Sequence, residues 1–140
     1  MKKSVKSMLG VTLLEVMLVL AIAAMIIVMS IRYYQQAGTS NQVNQTMSEV
    51  ISIASAADGL YQGTGSYAAA SNAVISPITG ASTLVTPWGA AITVAGTATT
   101  VTMTFAVAAS TAVCPLLTAK IRQNSKFAIN AACTIVTYTP

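Results

Sequence analysis

Hydrophobic positions run almost without break from Val11 to Ile31, with Thr12, Glu15 and Ser30 the polar interruptions. As an α-helix rising about 1.5 Å per residue, that run reaches roughly 31 Å, close to the hydrocarbon thickness of a bilayer. Lys2, Lys3 and Lys6 precede it. The positive-inside rule therefore keeps the leader cytoplasmic and sends the rest of the chain outward. Glu15 lies about 6 Å beyond Val11 along such a helix. A carboxylate there is expensive and marks a functional position by default. The alternative is a side chain that bends outward to the headgroups.

Past Ile31 the pattern changes. Arg32, Tyr33 and Tyr34 read as an interfacial anchor, with rings and a cation at headgroup level. Gln35 to Gln42 is polar all round and includes Gly38, Thr39 and Ser40, which predicts helix with a soft or locally unwound stretch. From Val43 the helical period returns. Val43, Met47, Val50, Ile51, Ala54 and Ala57 form one stripe suited to packing on a sheet, with Glu49, Ser52 and Ser55 off it. Asp58-Gly59 predicts the stop, with a last turn extending as far as Tyr61.

The remainder has the period of strands. Gly59, Gly63, Gly65, Ser66, Pro77 and Gly80 predict an irregular segment up to Pro87, with a short strand at Ser82–Val85. Pro87-Trp88-Gly89 is a turn into a strand at Ala90–Ala95, and Gly96 to Ala98 a second turn. In Thr99–Val107 the residues Val101, Met103, Phe105 and Val107 share one face, and Thr100, Thr102 and Thr104 the other. The pair predicts an antiparallel hairpin. Trp88 reads as an anchor at the sheet edge, with a sugar platform as the alternative. Cys114-Pro115 can open a short helix with Leu117 and Ile121 inward and Lys120 and Arg122 outward. Cys133–Thr139 reads as a last strand. The fold class is α+β: one long N-terminal helix on a small antiparallel sheet.

Composition sharpens this picture. Hydrophobic residues are 54% and charged residues 7%, against roughly a quarter charged in ordinary soluble domains. No charge occurs between Asp58 and Lys120. Such a surface suits packing against neighbouring subunits or sugar on its hydroxyls. The formal charge of +4 is concentrated in the leader. Without it, Arg32, Lys120, Arg122 and Lys126 stand against Glu15, Glu49 and Asp58, too little for the broad basic face of a nucleic-acid binder. Cys114 and Cys133 are the two cysteines. In an exported chain they read as one disulfide worth about 3 kcal/mol, with two free buried thiols as the alternative. No histidine, paired carboxylate or phosphate loop offers a catalytic constellation. The expectation is a protein that is no enzyme and needs no cofactor or metal.

The lysine-rich leader, Gly10, then Val11-Thr12-Leu13-Leu14-Glu15-Val16 and an apolar helix resemble the class III signal of type IV pilins and their relatives, the pseudopilins of type II secretion and competence systems included. The resemblance implies that a prepilin peptidase cuts between Gly10 and Val11 and methylates the Val11 amine. It further implies that Glu15, with Thr12, sets subunit register by pairing with the N-terminal amine of a neighbouring copy. On this reading 1–10 is a cleaved leader, 11–31 a transmembrane and filament-core helix, and 32–60 its amphipathic second half. An αβ loop fills 61–86, and 87–140 holds the sheet with a disulfide-bounded C-terminal region, Cys114 to Cys133. The ten-residue leader is similar to type IVa. Val11 as first mature residue, the lack of proline before Pro77 and the Pro-Trp-Gly strand entry are more similar to type IVb.

The function so implied is a structural subunit of an extracellular pilus, or fimbrium, for adhesion, motility, DNA uptake or conjugation. Its precursor would sit in the bacterial inner membrane, and its partners would be its own copies and the assembly machinery. Glu49 and Asp58 on the helix, with Lys120, Arg122 and Lys126 in the disulfide region, are candidates for charge pairing between subunits. The same cations could instead hold DNA or an anionic host surface, weakly and salt-sensitively. A pseudopilin of a secretion system is the remaining alternative. From Gly59 to Pro140 there is no Asp or Glu, which speaks against the acidic calcium site of major pseudopilins.

Overall fold

The computed structural model describes residues 12–140. The expected leader, with Gly10 and Val11 at its cleavage point, lies outside those residues. The chain divides into two compact units, one ending at Ala37 and one spanning Gly38–Pro140. The first helix, α1, is Leu13–Thr64 and contributes to both.

Helix α1 is unbroken through Gln35–Gln42, where the sequence predicted a soft stretch. Gly38, Thr39 and Ser40 are poor helix formers, each worth up to about 1 kcal/mol against alanine. They sit between segments already helical on both sides, so only propagation is needed, not the costly nucleus. The buried face of the second half is Val43, Thr46, Val50, Ile53, Ala54, Ala56 and Ala57. This corrects the predicted stripe. Ile51 is 49% exposed and Met47 only partly buried, while Thr46 and Ile53 are inside. The true seam steps by threes and fours from Val43, which turns Ile51 away. The Thr46 hydroxyl donates to the Gln42 carbonyl at 2.8 Å, satisfying its polar atom in the core.

The helix also outruns the predicted stop. It passes Asp58-Gly59, buries part of Leu60 and ends at Thr64, whose hydroxyl donates to the Leu60 carbonyl at 2.9 Å. Gly65 closes it. Its φ of 71° is left-handed, and its N–H reaches the Tyr61 carbonyl at 2.7 Å.

The segment predicted as irregular contains α2, Asn72–Thr79. Pro77 interrupts its period, which hid it from the sequence. Ile75 anchors it in the core, and Gly80 terminates it in the left-handed region at φ 74°. The expected strand at Ser82–Val85 is a single bridge, Val85 to Ala91.

Four antiparallel strands follow: β1 Ile92–Gly96, β2 Val101–Phe105, β3 Phe127–Ile129 and β4 Ile135–Tyr138, ordered β1-β2-β4-β3. The sequence missed β3, which is three residues long. The predicted hairpin is present but shorter. Val101, Met103 and Phe105 are buried as expected, while Val107 is outside the strand and 61% exposed. Gly96 belongs to β1 rather than to the turn. A Cβ there would lie 1.7 Å from the Tyr67 carbonyl oxygen, so the Tyr67–Ala70 segment crosses β1 where only glycine fits.

Helix α3, Val113–Ile121, buries Val113, Leu117 and Ile121. Cys114 near its start is bonded to Cys133, with Cα atoms 5.8 Å apart. Cys133 takes a left-handed φ of 52° in the tight turn before β4. The α1 seam, the inner faces of the strands, α3, Tyr67, Ile75 and Leu84 make one hydrophobic core. A long helix with a small four-stranded antiparallel sheet is the α+β arrangement that the sequence predicted.

Candidate functional site

The start of α1 is built by its own first turn. Thr12 is the N-cap: its Oγ1 accepts the Glu15 N–H at 3.3 Å, and its carbonyl accepts Glu15 N–H at 3.0 Å and Val16 N–H at 3.3 Å. The spacing Thr-x-x-Glu is that of a capping box. Glu15 also places a carboxylate in the first turn, where the unpaired N–H groups carry partial positive charge, a gain of about 0.3–1 kcal/mol. The sequence reading assigned Thr12 to subunit register. Its cap was legible in the same four residues and was missed.

Beyond this turn the helix is bare. An 18-residue window of α1 has a mean hydropathy of 2.7, and none of it is buried. Leu13 is 81% exposed, and Leu20, Met25 and Met29 are all more than 60% exposed. Each such side chain gains about 1.5–3 kcal/mol on leaving water. The segment therefore requires lipid or other protein around it. Tyr33 and Tyr34 are also exposed, beside Arg32, at the end of the apolar run.

The second unit holds a polar cluster that the sequence did not reveal. The Tyr67 hydroxyl donates to Asp58 Oδ1 at 2.7 Å and the Tyr138 hydroxyl to Asp58 Oδ2 at 2.8 Å. Tyr61 stacks on Tyr67 with ring centroids 4.7 Å apart. Tyr138 meets Tyr67 edge-on at 6.3 Å and Phe127 at 5.0 Å. Both hydroxyl-bearing residues are nearly fully buried. Burial, then hydrogen bonding to Asp58, then the carboxylate's charge push both tyrosines upward, Tyr138 to about 12 and Tyr67 further. The carboxylate thus fastens α1 to β4 and to the segment after α1. No sequence pattern connects Asp58 with Tyr138 across 80 positions. Its one signal was that Asp58 is the last acidic residue of the chain.

The other predicted charges are distributed as follows. Lys120 on α3 donates to Asn44 Oδ1 on α1. Arg122 and Lys126 are exposed, and Glu49 is half-buried beside Gln45, Ser48, Thr86 and Pro87. Asp58 is committed within its own chain. Trp88 packs at the sheet margin, edge-on to Phe105, with its Nε1–H on the Val107 carbonyl at 3.2 Å. Among the described residues no group of three His, Cys, Asp or Glu side chains comes together.

No family model matches the chain, and no solved structure matches it. Two curated proteins are similar to it: the major structural subunit of bundle-forming pilus of Escherichia coli O127:H6 (strain E2348/69 / EPEC) and that of Escherichia coli O111:H-. Each is 39% identical over 66 residues, covering 47% of this chain and 34% of the relative. The chain thus spans about a third of the length of the curated relatives it matches.

Proposed function

We propose that this chain is a structural subunit of a type IV pilus, in the role of a major pilin, and polymerises through α1 into an extracellular filament. The observation that carries this reading is the bare apolar half of α1, continuous with a helix whose other half is core. Similarity to the major structural subunit of a bundle-forming pilus supports it. The precursor is held in the inner membrane with Lys2, Lys3 and Lys6 inside. Prepilin peptidase cuts after Gly10 and the Val11 amine is methylated. Neighbouring α1 helices then replace lipid around the apolar face. Glu15 pairs with the terminal amine of an adjacent copy, which offsets the desolvation of both charges and fixes the axial offset between helices.

Electron microscopy of surface filaments from cells expressing the chain tests this. The unaltered chain gives filaments. Glu15→Ala gives few or none while accumulating in the membrane, and Gly10→Val leaves uncleaved precursor. Filaments from Glu15→Ala at unaltered abundance would remove the registration role. Loss of protein secretion with filaments intact would favour the pseudopilin reading.

The exposed cations favour one second reading. Lys120, Arg122 and Lys126 lie near one another in sequence with no acidic residue after Asp58. They could pair with Glu49 of a neighbouring subunit or hold DNA or an anionic surface. Lys120→Glu with Arg122→Glu separates the two: weaker shear resistance indicates pairing, and loss of salt-sensitive DNA retention indicates binding.

A further inference from the structure

The free edge of β1 is closed by accounting that leaves no donor over. In an antiparallel strand alternate residues turn N–H and C=O to one side. Thr93 and Ala95 face β2, so Ile92, Val94 and Gly96 face outward. Ile92 N–H donates to the Leu84 carbonyl at 2.9 Å, and Gly96 N–H to the Ala70 carbonyl at 2.9 Å. Between them, Val94 N–H donates to Asn72 Oδ1 at 2.5 Å, and Asn72 Nδ2 donates to the Ile92 carbonyl at 2.7 Å. One side-chain amide thus presents the donor and acceptor that a neighbouring strand's backbone would present.

Lysine and proline are absent from this edge, and its cover comes from the segments on either side of α2, through the Ser71–Ala95 and Val85–Ala91 bridges. Sheet margins are commonly guarded by lysine, by proline or by shortness. The β3 margin is three residues long with Lys126 beside it. Strand β1 is five residues, Ile-Thr-Val-Ala-Gly, in a stretch with no charge from Gly59 to Ala119. Such a strand would readily pair with its like.

The geometry points to Asn72 as a plug: its amide occupies the β1 edge and prevents strand addition from a second copy of this chain. The plug is carried on the first residue of α2, and the Ala70 and Leu84 carbonyls flank it on either side of that helix. Its loss frees the central donor and acceptor of the edge while the sheet behind stays paired.

The test uses the full chain in detergent micelles, with residue-resolved amide exchange and concentration-dependent chemical cross-linking. In Asn72→Ala the Val94 amide exchanges about tenfold faster or more while Met103, in β2, stays protected, and the cross-linked dimer increases severalfold. Adding Thr93→Lys, a charge at an exposed edge position, returns the dimer to the unaltered level. Asn72→Ser, too short to span both groups, repeats the pattern. Unchanged Val94 exchange, or faster exchange without more dimer, would overturn the proposal. So would loss of Met103 protection in both variants, because Asn72 would then hold the whole sheet rather than its edge.

Discussion

Replacing Asp58 by alanine should unfasten α1 from β4. The two bonds it accepts, at 2.7 and 2.8 Å, come from tyrosines that are only 2% and 3% exposed. A hydrogen bond to a charged group contributes about 1.5–3 kcal/mol, and a buried hydroxyl left without a partner costs about 1–3 kcal/mol. Water can enter at Asp58 itself, which is half-buried, so the two losses do not simply add. The expected cost is about 3–5 kcal/mol. For a unit of this size that lowers Tm by roughly 15–30 °C.

Asp58→Asn keeps one acceptor and offers an N–H to the other hydroxyl oxygen, and should cost about 1–2 kcal/mol. Tyr67→Phe and Tyr138→Phe each remove one donor and should cost about 1–2 kcal/mol, with coupling visible in the double variant. Urea unfolding of the full chain in micelles, followed by near-ultraviolet circular dichroism of Trp88 and the tyrosines, measures all of these. An Asp58→Ala cost below about 1 kcal/mol, or one equal to that of Asp58→Asn, would refute the fastening role.

The same cluster sets an alkaline limit. Folding raises the pKa of both tyrosines, so its stabilising effect is complete below the ordinary value of about 10 and is lost as pH climbs through about 12. The urea midpoint should hold steady from pH 8 to 9 and fall by pH 12, less steeply in Tyr138→Phe; a flat profile would contradict the assignment. Gly96→Ala should prevent the native sheet from forming, because the added methyl would meet the Tyr67 carbonyl carbon at 2.7 Å as well as its oxygen. Native Trp88 dichroism in that variant would show that the Tyr67–Ala70 segment can retreat. Replacing Cys114 and Cys133 by serine should lower stability by about 3 kcal/mol, from the 19-residue separation of the two, measurable as a lower urea midpoint.

Much of this fold is written in periodicity. The apolar run to Ile31 and the alternation of Val101, Met103 and Phe105 are local signals, and the structure follows them. The misses have separate physical origins. Ile51 lies one residue, about 100°, round the helix from buried Val50, and which flank of the stripe faces the sheet is decided by tertiary packing. Helix α2 was hidden by Pro77, and β3 by its brevity. The roles of Asp58 and Asn72 depend on partners 80 and about 20 positions away, Tyr138 and the Ile92–Val94 pair. No local rule reaches that far. The Thr12 cap was the exception, legible within one turn.

The Asp58 fastening also has a mechanical meaning. Tension applied along α1 would be delivered to whatever the helix grips. Asp58 grips Tyr138, at the end of β4, an inner strand with β2 on one side and β3 on the other. Force entering there loads two ladders of hydrogen bonds in parallel instead of peeling one from its edge. Just before β4, Cys133 ties the same strand covalently to α3. The carboxylate works as a shackle between a rod and the middle of a plate, where the plate is hardest to tear.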